Sequence, residues 1–281
     1  MRQLTFIGIL LSSLILSPTL YADGHQAVES YSFGIVPQQT AKRMAKLWTP
    51  VFKHIQKTSG IKLQFKTAKD IPEFEKRLAQ GEYDFAYMNP YHFTVFNRDP
   101  GYKAVAVRKD QAIRGIMVTR KDSSLSTLED LKNQKLAFPS PAAFAASVLP
   151  RAELSNSNIN HESQYVSSHD SVYLNVAKGL FPAGGGVKRT FNNTAPKVRE
   201  QLKVFWTSEP FTPHAIAAHP RIDASVYQKI QDSLVAMNND EEGKKLLQSL
   251  KVKNGLQKAS DSDWDDVRGL GIDLLDQLIK Q

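Results

Sequence analysis

The alternation of strand-like and helix-like segments constrains the fold of this chain more than any other feature. Residues 29–36 alternate polar and apolar side chains and are rich in strand formers. Apolar side chains then recur three or four residues apart, which is typical of one face of a helix. Strands separated by helices at this spacing predict right-handed βαβ units and a mostly parallel sheet. The predicted elements are strand 29–36, a helix bearing Met44, Leu47, Trp48, Val51, Phe52 and Ile55, strand 61–67, a short helix bearing Ile71, Phe74 and Leu78, and strands 83–88 and 102–108.

The same pattern restarts after residue 112. A capping-box sequence at Ser126–Glu129 predicts a helix through Leu131, and an alanine-rich helix is predicted over 142–154. The three glycines 184–186 indicate a flexible turn. The remaining predicted strands are 113–120, 135–138, 164–167, 180–183, 204–207 and 214–218, and the remaining helices are 171–178, 226–237, 241–250 and 264–279.

Two α/β units joined by two extended segments predict two lobes with a cleft between them. The crossings are expected near 109–113 and 208–214. Lobe 1 would then comprise residues 23–111 and 214–281, and lobe 2 residues 112–213. Ligands of α/β sheets bind at the carboxyl ends of the strands, so a ligand would lie in the cleft, where hinge closure can bury it.

The first 22 residues indicate a secretory signal peptide. Arg2 supplies the positive start, an apolar run follows from residue 4 to 16, and Tyr21-Ala22 precedes a polar segment. The alternative is a membrane anchor, but the run of about 13 residues is short of the roughly 20 that span a bilayer. We therefore predict export to the periplasm with cleavage near Ala22.

Composition excludes several classes of protein. The chain of 281 residues has no cysteine, which excludes disulfides, thiol nucleophiles and cysteine metal sites. Its net charge of +8 comes from dispersed lysines and arginines without a basic run, so nucleic acid is not a predicted partner. Sequence signatures of serine hydrolases, P-loop proteins and zinc proteases are absent. We predict no cofactor, no metal and no catalytic residue.

Several motifs, in this order and at this spacing, resemble one family of transport proteins. They are Phe33-Gly34-Ile35-Val36, Trp48-Thr49-Pro50, Tyr83-Asp84-Phe85-Ala86-Tyr87-Met88-Asn89-Pro90, Phe138-Pro139-Ser140-Pro141, His169-Asp170-Ser171-Val172 and Trp206-Thr207-Ser208. Together they are similar to the phosphate/phosphite/phosphonate-binding, PhnD-like solute-binding proteins of ABC transporters. The resemblance implies a type II periplasmic-binding-protein fold, with two α/β lobes joined by a two-segment hinge, that captures a small anion and delivers it to a membrane permease.

The turn at Ser140–Phe144, where a strand leads into a helix, is the predicted anion site. Free backbone N–H groups and the positive end of a helix attract anions. In the family this turn carries Ser and Thr hydroxyls, but here Ala143, Phe144 and Ala145 occupy it. Backbone donors would remain while side-chain donors are lost. An ordinary alanine-rich core helix is the alternative interpretation.

The resemblance also implies contacts from His169, Lys188 and His214. His169 matches a family histidine that faces the ligand, although Ser168 and Asp170 beside it also fit a structural helix start. Lys188 and His214 lie near positions where aminophosphonate binders carry acidic residues for the ligand's ammonium group. That difference predicts a plain anion rather than an aminoalkyl ligand, unless Lys188 is simply a solvated helix residue.

Loops at the carboxyl ends of two lobe 1 strands provide the remaining candidates. Asn89, Tyr91 and His92 lie in an Asn-Pro-Tyr-His loop after the third strand, and Gln38 and Gln39 follow the first strand. Tyr91 could instead be a core aromatic residue. The complete predicted ligand-binding set is Gln39, Asn89, Tyr91, His92, Ala143, Phe144, His169, Lys188 and His214.

We therefore expect an exported, monomeric solute-binding protein that captures a small anion for an ABC transporter. An alternative partner is a membrane sensor that reads the closed form of the protein. An exported enzyme acting on phosphoesters is a third, weaker hypothesis.

Overall fold

A computed structural model describes residues 30–279 of the chain. Its first sheet has six strands in the order β2-β1-β3-β10-β4-β11. β1 pairs in parallel with β2 and β3, whereas β10 is antiparallel to both β3 and β4, and β11 is antiparallel to β4. The sheet is therefore mixed rather than mostly parallel. The strands are β1 (Ser30–Ile35), β2 (Lys62–Lys66), β3 (Phe85–Met88), β4 (Lys103–Arg108), β10 (Ala215–Ala218) and β11 (Leu256–Lys258).

The second sheet has five strands in the order β7-β6-β8-β5-β9. β6 pairs in parallel with β7 and β8, and β5 lies antiparallel between β8 and β9. Each sheet therefore contains one strand that directly follows a crossing from the other sheet, β10 in the first sheet and β5 in the second. The strands are β5 (Gly115–Arg120), β6 (Lys135–Phe138), β7 (Glu162–Tyr165), β8 (Ala183–Val187) and β9 (Leu202–Thr207).

Helices cover the two sheets. A π-helical turn, Phe144–Val148, runs directly into α4 and packs against β5 and β8. Among residues 30–279 no helix is long and apolar enough to cross a membrane. The α-helices are α1 (Ala41–Ser59), α2 (Ile71–Ala79), α3 (Pro90–Arg98), α4 (Leu149–Asn156), α5 (His169–Ala177), α6 (Lys188–Asn192), α7 (Pro196–Arg199), α8 (Ala224–Ala236), α9 (Glu241–Ser249), α10 (Asp265–Arg268) and α11 (Asp276–Ile279).

Two extended segments connect the sheets, one between β4 and β5 and the other between β9 and β10. They pair through an isolated bridge, in which the Ile113 N–H donates to the Phe211 carbonyl at 2.8 Å and the Phe211 N–H donates to the Ile113 carbonyl at 2.9 Å. Only two chain segments, paired at one point, therefore cross from sheet to sheet in the described residues.

The apolar core forms one large cluster and two smaller ones. The large cluster contains the first sheet and also the turn residues Ala142–Ala146 and Val187 near the second sheet. The second sheet separates the two smaller clusters, with Ile116 in one and Met117 in the other. Consecutive residues of β5 face opposite sides of the sheet, as the two-residue period of a strand requires.

The glycines 184–186 form part of strand β8 and not a turn, so that prediction is wrong. A Cβ on Gly185 would lie 1.9 Å from the carbonyl oxygen of Ala146, and one on Gly184 would lie 2.9 Å from the carbonyl oxygen of Ala137. Glycine is needed because other backbone segments pack directly against this strand. In the sequence, the resulting run of three glycines looks the same as a turn.

Other element boundaries also differ from the predictions. The capping-box segment forms only a short 3₁₀ turn, Glu129–Leu131, whose N-cap is Leu128 and not Ser126. The Asp130 carboxylate accepts from the Ser126 and Thr127 N–H groups at 2.8 and 3.0 Å. The predicted helix 264–279 is split into α10 and α11. The predicted helix 142–154 begins as the π-helical turn, and the predicted strand 180–183 is the start of β8.

Helix α2 begins with a side-chain cap that offers a test of local stability. The Asp70 carboxylate accepts from the Glu73 N–H at 2.9 Å. Asp70→Ala should reduce the free energy of unfolding by about 1 kcal/mol, because the buried first turn loses this acceptor. Asp70→Asn should retain most of the stability, and urea denaturation of both variants measures the difference. Equal losses in the two variants would contradict a capping role.

Candidate functional site

A narrow cavity lies where the carboxyl ends of the strands of the two sheets face each other. It encloses about 250 Å³ and has room for about one water molecule. The structure therefore shows the cleft closed. The cavity is lined by Val36, Gln38, Ile71, Asn89, Ile113, Ala143, Phe144, Ala145, Ala146, His169, Val187 and His214.

The π-helical turn provides backbone donors on one wall of this cavity. The Ala143 carbonyl accepts from the N–H groups of Ser147 and Val148 at 2.7 and 3.3 Å. The N–H groups of Phe144, Ala145 and Ala146 precede these bonds and have no carbonyl within the turn to pair with. Such a group of N–H donors at the start of a helical run favours an anion.

His169 lies at the first residue of α5 and is 1% exposed. Its N–H donates to the Gln38 carbonyl at 3.1 Å, and its Nδ1 lies 3.0 Å from Thr190 Oγ1. Burial, with a contribution from the Arg189 charge, lowers the pKa of His169 to about 3. The imidazole is therefore neutral at neutral pH, and it can offer a hydrogen bond to a ligand but no charge.

His214 is also buried, and it contacts Gln38 and Tyr87. Gln38 Nε2 donates to His214 Nε2 at 3.0 Å, and the His214 ring stacks on Tyr87 with the ring centroids 4.9 Å apart. Burial first, and then the charges of Arg189 and Arg108, hold the pKa of His214 well below its usual value. The cationic role expected for His214 is thus not supported by its surroundings.

The positive charge near the cleft comes instead from Arg108 and Arg189. The Arg189 guanidinium donates to Gln38 Oε1 and lies 5.9 Å from the centroid of the Tyr87 ring. Arg108, the last residue of β4, donates to the Tyr87 hydroxyl at 2.9 Å. Neither residue is among the ligand contacts predicted from the sequence. A cation at the carboxyl end of a buried strand was a signal that could have found Arg108.

Lys188 is exposed, whereas Arg189 next to it is partly buried and faces the cleft. Both belong to the first turn of α6, where consecutive residues point about 100° apart. The sequence analysis thus placed the cation one residue from the side chain that the fold turns inward.

Besides His169 and His214, four more of the predicted residues connect the lobes or line the cavity. Asn89 Nδ2 donates to the Ala142 carbonyl at 3.2 Å, and Gln39 Nε2 donates to the Asp170 carboxylate at 3.4 Å. Ala143 and Phe144 line the cavity directly. The hydrogen bonds from Asn89 and Gln39 run between segments on opposite sides of the cleft.

Tyr91 and His92 lie away from the cavity. Asn89 is the N-cap of α3, so the predicted loop is the first turn of a helix. Within it, the Tyr91 hydroxyl accepts from the Leu275 N–H at 2.9 Å, and His92 Nε2 lies 2.8 Å from Glu75 Oε1. Both side chains are buried and are engaged on the far side of α3. The structure therefore does not place Tyr91 and His92 beside the residues that line the cavity.

A sequence model of one protein family matches most of the described chain. The family is described as the periplasmic substrate-binding protein of phosphonate ABC transporters, and the match covers residues 33–264. The chain belongs to this family. The resemblance found in the sequence is thereby confirmed.

Individual relatives agree with this assignment at low identity. The phosphate-import protein PhnD of Mycolicibacterium smegmatis is 22% identical over 271 residues, covering 85% of this chain and 84% of the relative. The phosphonates-binding periplasmic protein of Escherichia coli is 23% identical over 263 residues, covering 88% of this chain and 77% of the relative. These relatives are substrate-binding transport proteins.

Solved structures confirm the predicted type II periplasmic-binding-protein fold. The binding component of a phosphonate ABC transporter from Pseudomonas aeruginosa superposes with a TM-score of 0.79 at 18% identity, covering 86% of this chain and 85% of that one. PhnD1 of Prochlorococcus marinus, solved in complex with methylphosphonate, superposes with a TM-score of 0.78 at 17% identity and covers 86% and 97%.

Proposed function

We propose that this protein binds a small phosphorus oxyanion, of the phosphonate, phosphite or phosphate type, between its sheets. The observation that carries the proposal is the closed cavity that the π-helical turn, neutral His169 and Asn89 line together. Backbone and side-chain N–H donors suit an oxyanion with several acceptor oxygens. The family assignment supports this choice of ligand class.

The mechanism we propose is closure of two lobes about the paired crossings at Ile113 and Phe211. Lobe 1 would comprise residues 23–111 and 214–281, and lobe 2 residues 112–213. An anion that contacts both lobes binds the closed form more tightly, so it shifts the population toward closure. The closed form is then the one that the membrane permease of an ABC transporter receives, and no bond is made or broken.

Export to the periplasm completes the proposal. The predicted signal peptide, residues 1–22, lies outside the described residues, and the periplasmic assignment is supported by the family. We propose that the mature chain acts as a monomer, since each copy carries both walls of the cavity.

A thermal-shift screen of the mature protein tests the ligand class. Methylphosphonate, phosphite and phosphate form the panel, with sulfate and acetate as anions of other chemistry. A ligand at 100 times its Kd should stabilise the protein by about 2.7 kcal/mol. We expect no shift with 2-aminoethylphosphonate, because no carboxylate lines the cavity in the described part of the chain and Arg189 would repel an ammonium group. Failure of every phosphorus oxyanion to bind would refute the proposal.

Replacing His169 tests the geometry of the site. His169→Ala should weaken binding of the responding oxyanion at least about tenfold, the value of one lost hydrogen bond to a charged group. Isothermal titration calorimetry measures the change. His161→Ala is the matched control, because His161 is a partly buried histidine of the same lobe that does not line the cavity. An unchanged Kd in His169→Ala would remove this residue from the site.

A further inference from the structure

Two arginines from opposite sides of the cleft meet at one tyrosine. Arg108 ends β4 in the first sheet, and Arg189 lies in α6, directly after β8 of the second sheet. The hydroxyl of Tyr87 accepts from Arg108, and the ring of Tyr87 lies beside Arg189. Closure of the cleft therefore brings two positive charges to the same side chain.

A second cavity adjoins the first at this point and shares His214 as a wall. It spans about 440 Å³ but, like the first cavity in this closed form, has room for only about one or two water molecules. Apart from backbone, its polar lining is Tyr87, Arg108, Arg189 and His214. The other lining side chains are apolar, among them Trp48 and Leu234. The two guanidinium groups therefore line a largely apolar space that lies next to the proposed oxyanion site, with His214 between the two.

Neither arginine has a counter-charge within residues 30–279. No carboxylate oxygen lies within 4.0 Å of either guanidinium. Arg108 Nε is buried and makes no hydrogen bond in that part of the chain. Gln38 Oε1 and the Tyr87 hydroxyl are neutral acceptors, one for each arginine, whereas a guanidinium carries five N–H donors.

This arrangement costs free energy unless an anion is present. Like charges repel more strongly in a space with little water, and an unpaired buried charge is unfavourable. Burial lowers the pKa of Arg189, and the Arg108 charge contributes in the same direction. A purely structural pair of arginines would be expected to have a carboxylate partner, and residues 30–279 provide none within 4.0 Å.

We infer that Arg108 and Arg189 form a second anion subsite, and that the preferred ligand carries a second acidic group, such as a carboxylate, beside its phosphorus oxyanion. The inference rests on the proposed function, because the first acidic group occupies the π-helical turn. The second group lies between the two guanidinium groups and joins the lobes. Gln38, which contacts Arg189 and His214, stands between the two subsites.

Calorimetry with a pair of ligands of similar size tests the subsite. Phosphonoacetate carries the second acidic group, and propylphosphonate replaces it with an apolar tail. We expect the mature protein to bind phosphonoacetate about 10- to 100-fold more tightly, the effect of hydrogen bonds between charged groups. Arg189→Gln should weaken binding of phosphonoacetate by a larger factor than binding of propylphosphonate, so that the ratio of the two Kd values falls toward one. Lys188→Gln, at the exposed neighbouring position, should preserve the advantage.

Gln38→Glu provides an independent test that does not remove a buried arginine. The substitution keeps the shape of the side chain and places a carboxylate against Arg189, where the second acidic group of the ligand should lie. We expect the ligand-free variant to melt at a higher temperature and to lose its preference for phosphonoacetate. If Arg189→Gln fails to fold, Gln38→Glu and the charge-preserving Arg189→Lys decide whether the second anion subsite exists.

The outcomes separate the two proposals. Equal affinity of the parent protein for phosphonoacetate and propylphosphonate overturns the second subsite and leaves the proposed function standing. The second subsite is also overturned if Arg189→Gln weakens the binding of both ligands equally and Gln38→Glu still binds phosphonoacetate more tightly than propylphosphonate. If neither ligand nor methylphosphonate binds, the proposed function fails, and the second subsite fails with it.

Discussion

Gly185→Ala is expected to destabilise the protein by about 3 kcal/mol or more, at the upper end of the cost of overpacking. The new Cβ would lie 1.9 Å from the Ala146 carbonyl oxygen and 2.8 Å from the Phe138 ring. The oxygen belongs to the backbone of the π-helical turn, so relief of the clash requires the turn or strand β8 to move. Because this turn supplies the proposed anion donors, binding should weaken together with stability.

Urea denaturation of the parent and the variant measures this effect. Gly269→Ala is the matched control, since its Cβ would meet its nearest neighbour, the Asp265 carbonyl oxygen, at 3.4 Å, and its backbone φ is −60°. That substitution should change the free energy of unfolding by less than about 0.5 kcal/mol. A Gly185→Ala protein as stable as the Gly269→Ala protein would show that the strand and the turn are not in close contact.

Acidification should destabilise the protein well before its carboxylates titrate. Burial lowers the pKa of His169 to about 3 and holds the pKa of His214 well below the ordinary value of 6.5. Below pH 6.5 the unfolded chain binds a proton at each histidine while the folded protein does not, so stability is complete above that pH and falls toward pH 3. At pH 5 the loss from His169 is about 2 kcal/mol, and His214 adds a loss in the same direction.

The positive charges of nearby arginines also lower the pKa values of these histidines. Arg189 lowers the pKa of both, and Arg108 that of His214. The partly buried Asp170 carboxylate next to His169 acts in the opposite direction, because burial raises its pKa from 3.8. Melting curves between pH 5 and 7.5 should therefore show a rising Tm with pH.

Variants identify the source of this pH dependence. His169→Gln and His214→Gln should each have a shallower dependence of Tm on pH than the parent protein, and the double variant the shallowest. His161→Gln controls for the substitution of a histidine that does not line the cavity. A parent protein whose Tm is the same at pH 5 and pH 7.5 would exclude two buried neutral histidines.

Local sequence patterns were sufficient for the elements that carry the fold. Alternation over 29–36 and helical spacing from Met44 to Ile55 predicted β1 and α1, since an amphipathic strand or helix must place its apolar face on a core. The strand-to-helix transition at Ser140 likewise indicated the turn that forms one wall of the cavity. These elements depend on residues close together in the sequence, so the sequence pattern alone is sufficient to predict them.

Contacts between distant segments determined the features that the sequence analysis missed. The glycines 184–186 have the composition of a turn, yet they form a strand because the Ala146 carbonyl packs against them. The Asn-Pro-Tyr-His segment has the composition of a loop, yet Asn89 caps α3 and directs His92 toward Glu75. The Ala146 carbonyl and Glu75 are remote in the sequence from the residues they contact, whereas the Asn89 cap on the His92 N–H is local.

The sequence by itself determined the alternating α/β architecture, the family and the position of the helical turn that faces the cleft, because periodicity and local backbone preferences specify them. Only the tertiary structure decided that Arg189 rather than Lys188 faces inward, that His169 and His214 are neutral, and that Arg108 joins Arg189 at Tyr87. The physical reason is that side-chain direction, burial and the absence of a counter-charge depend on segments from two sheets meeting across one cleft.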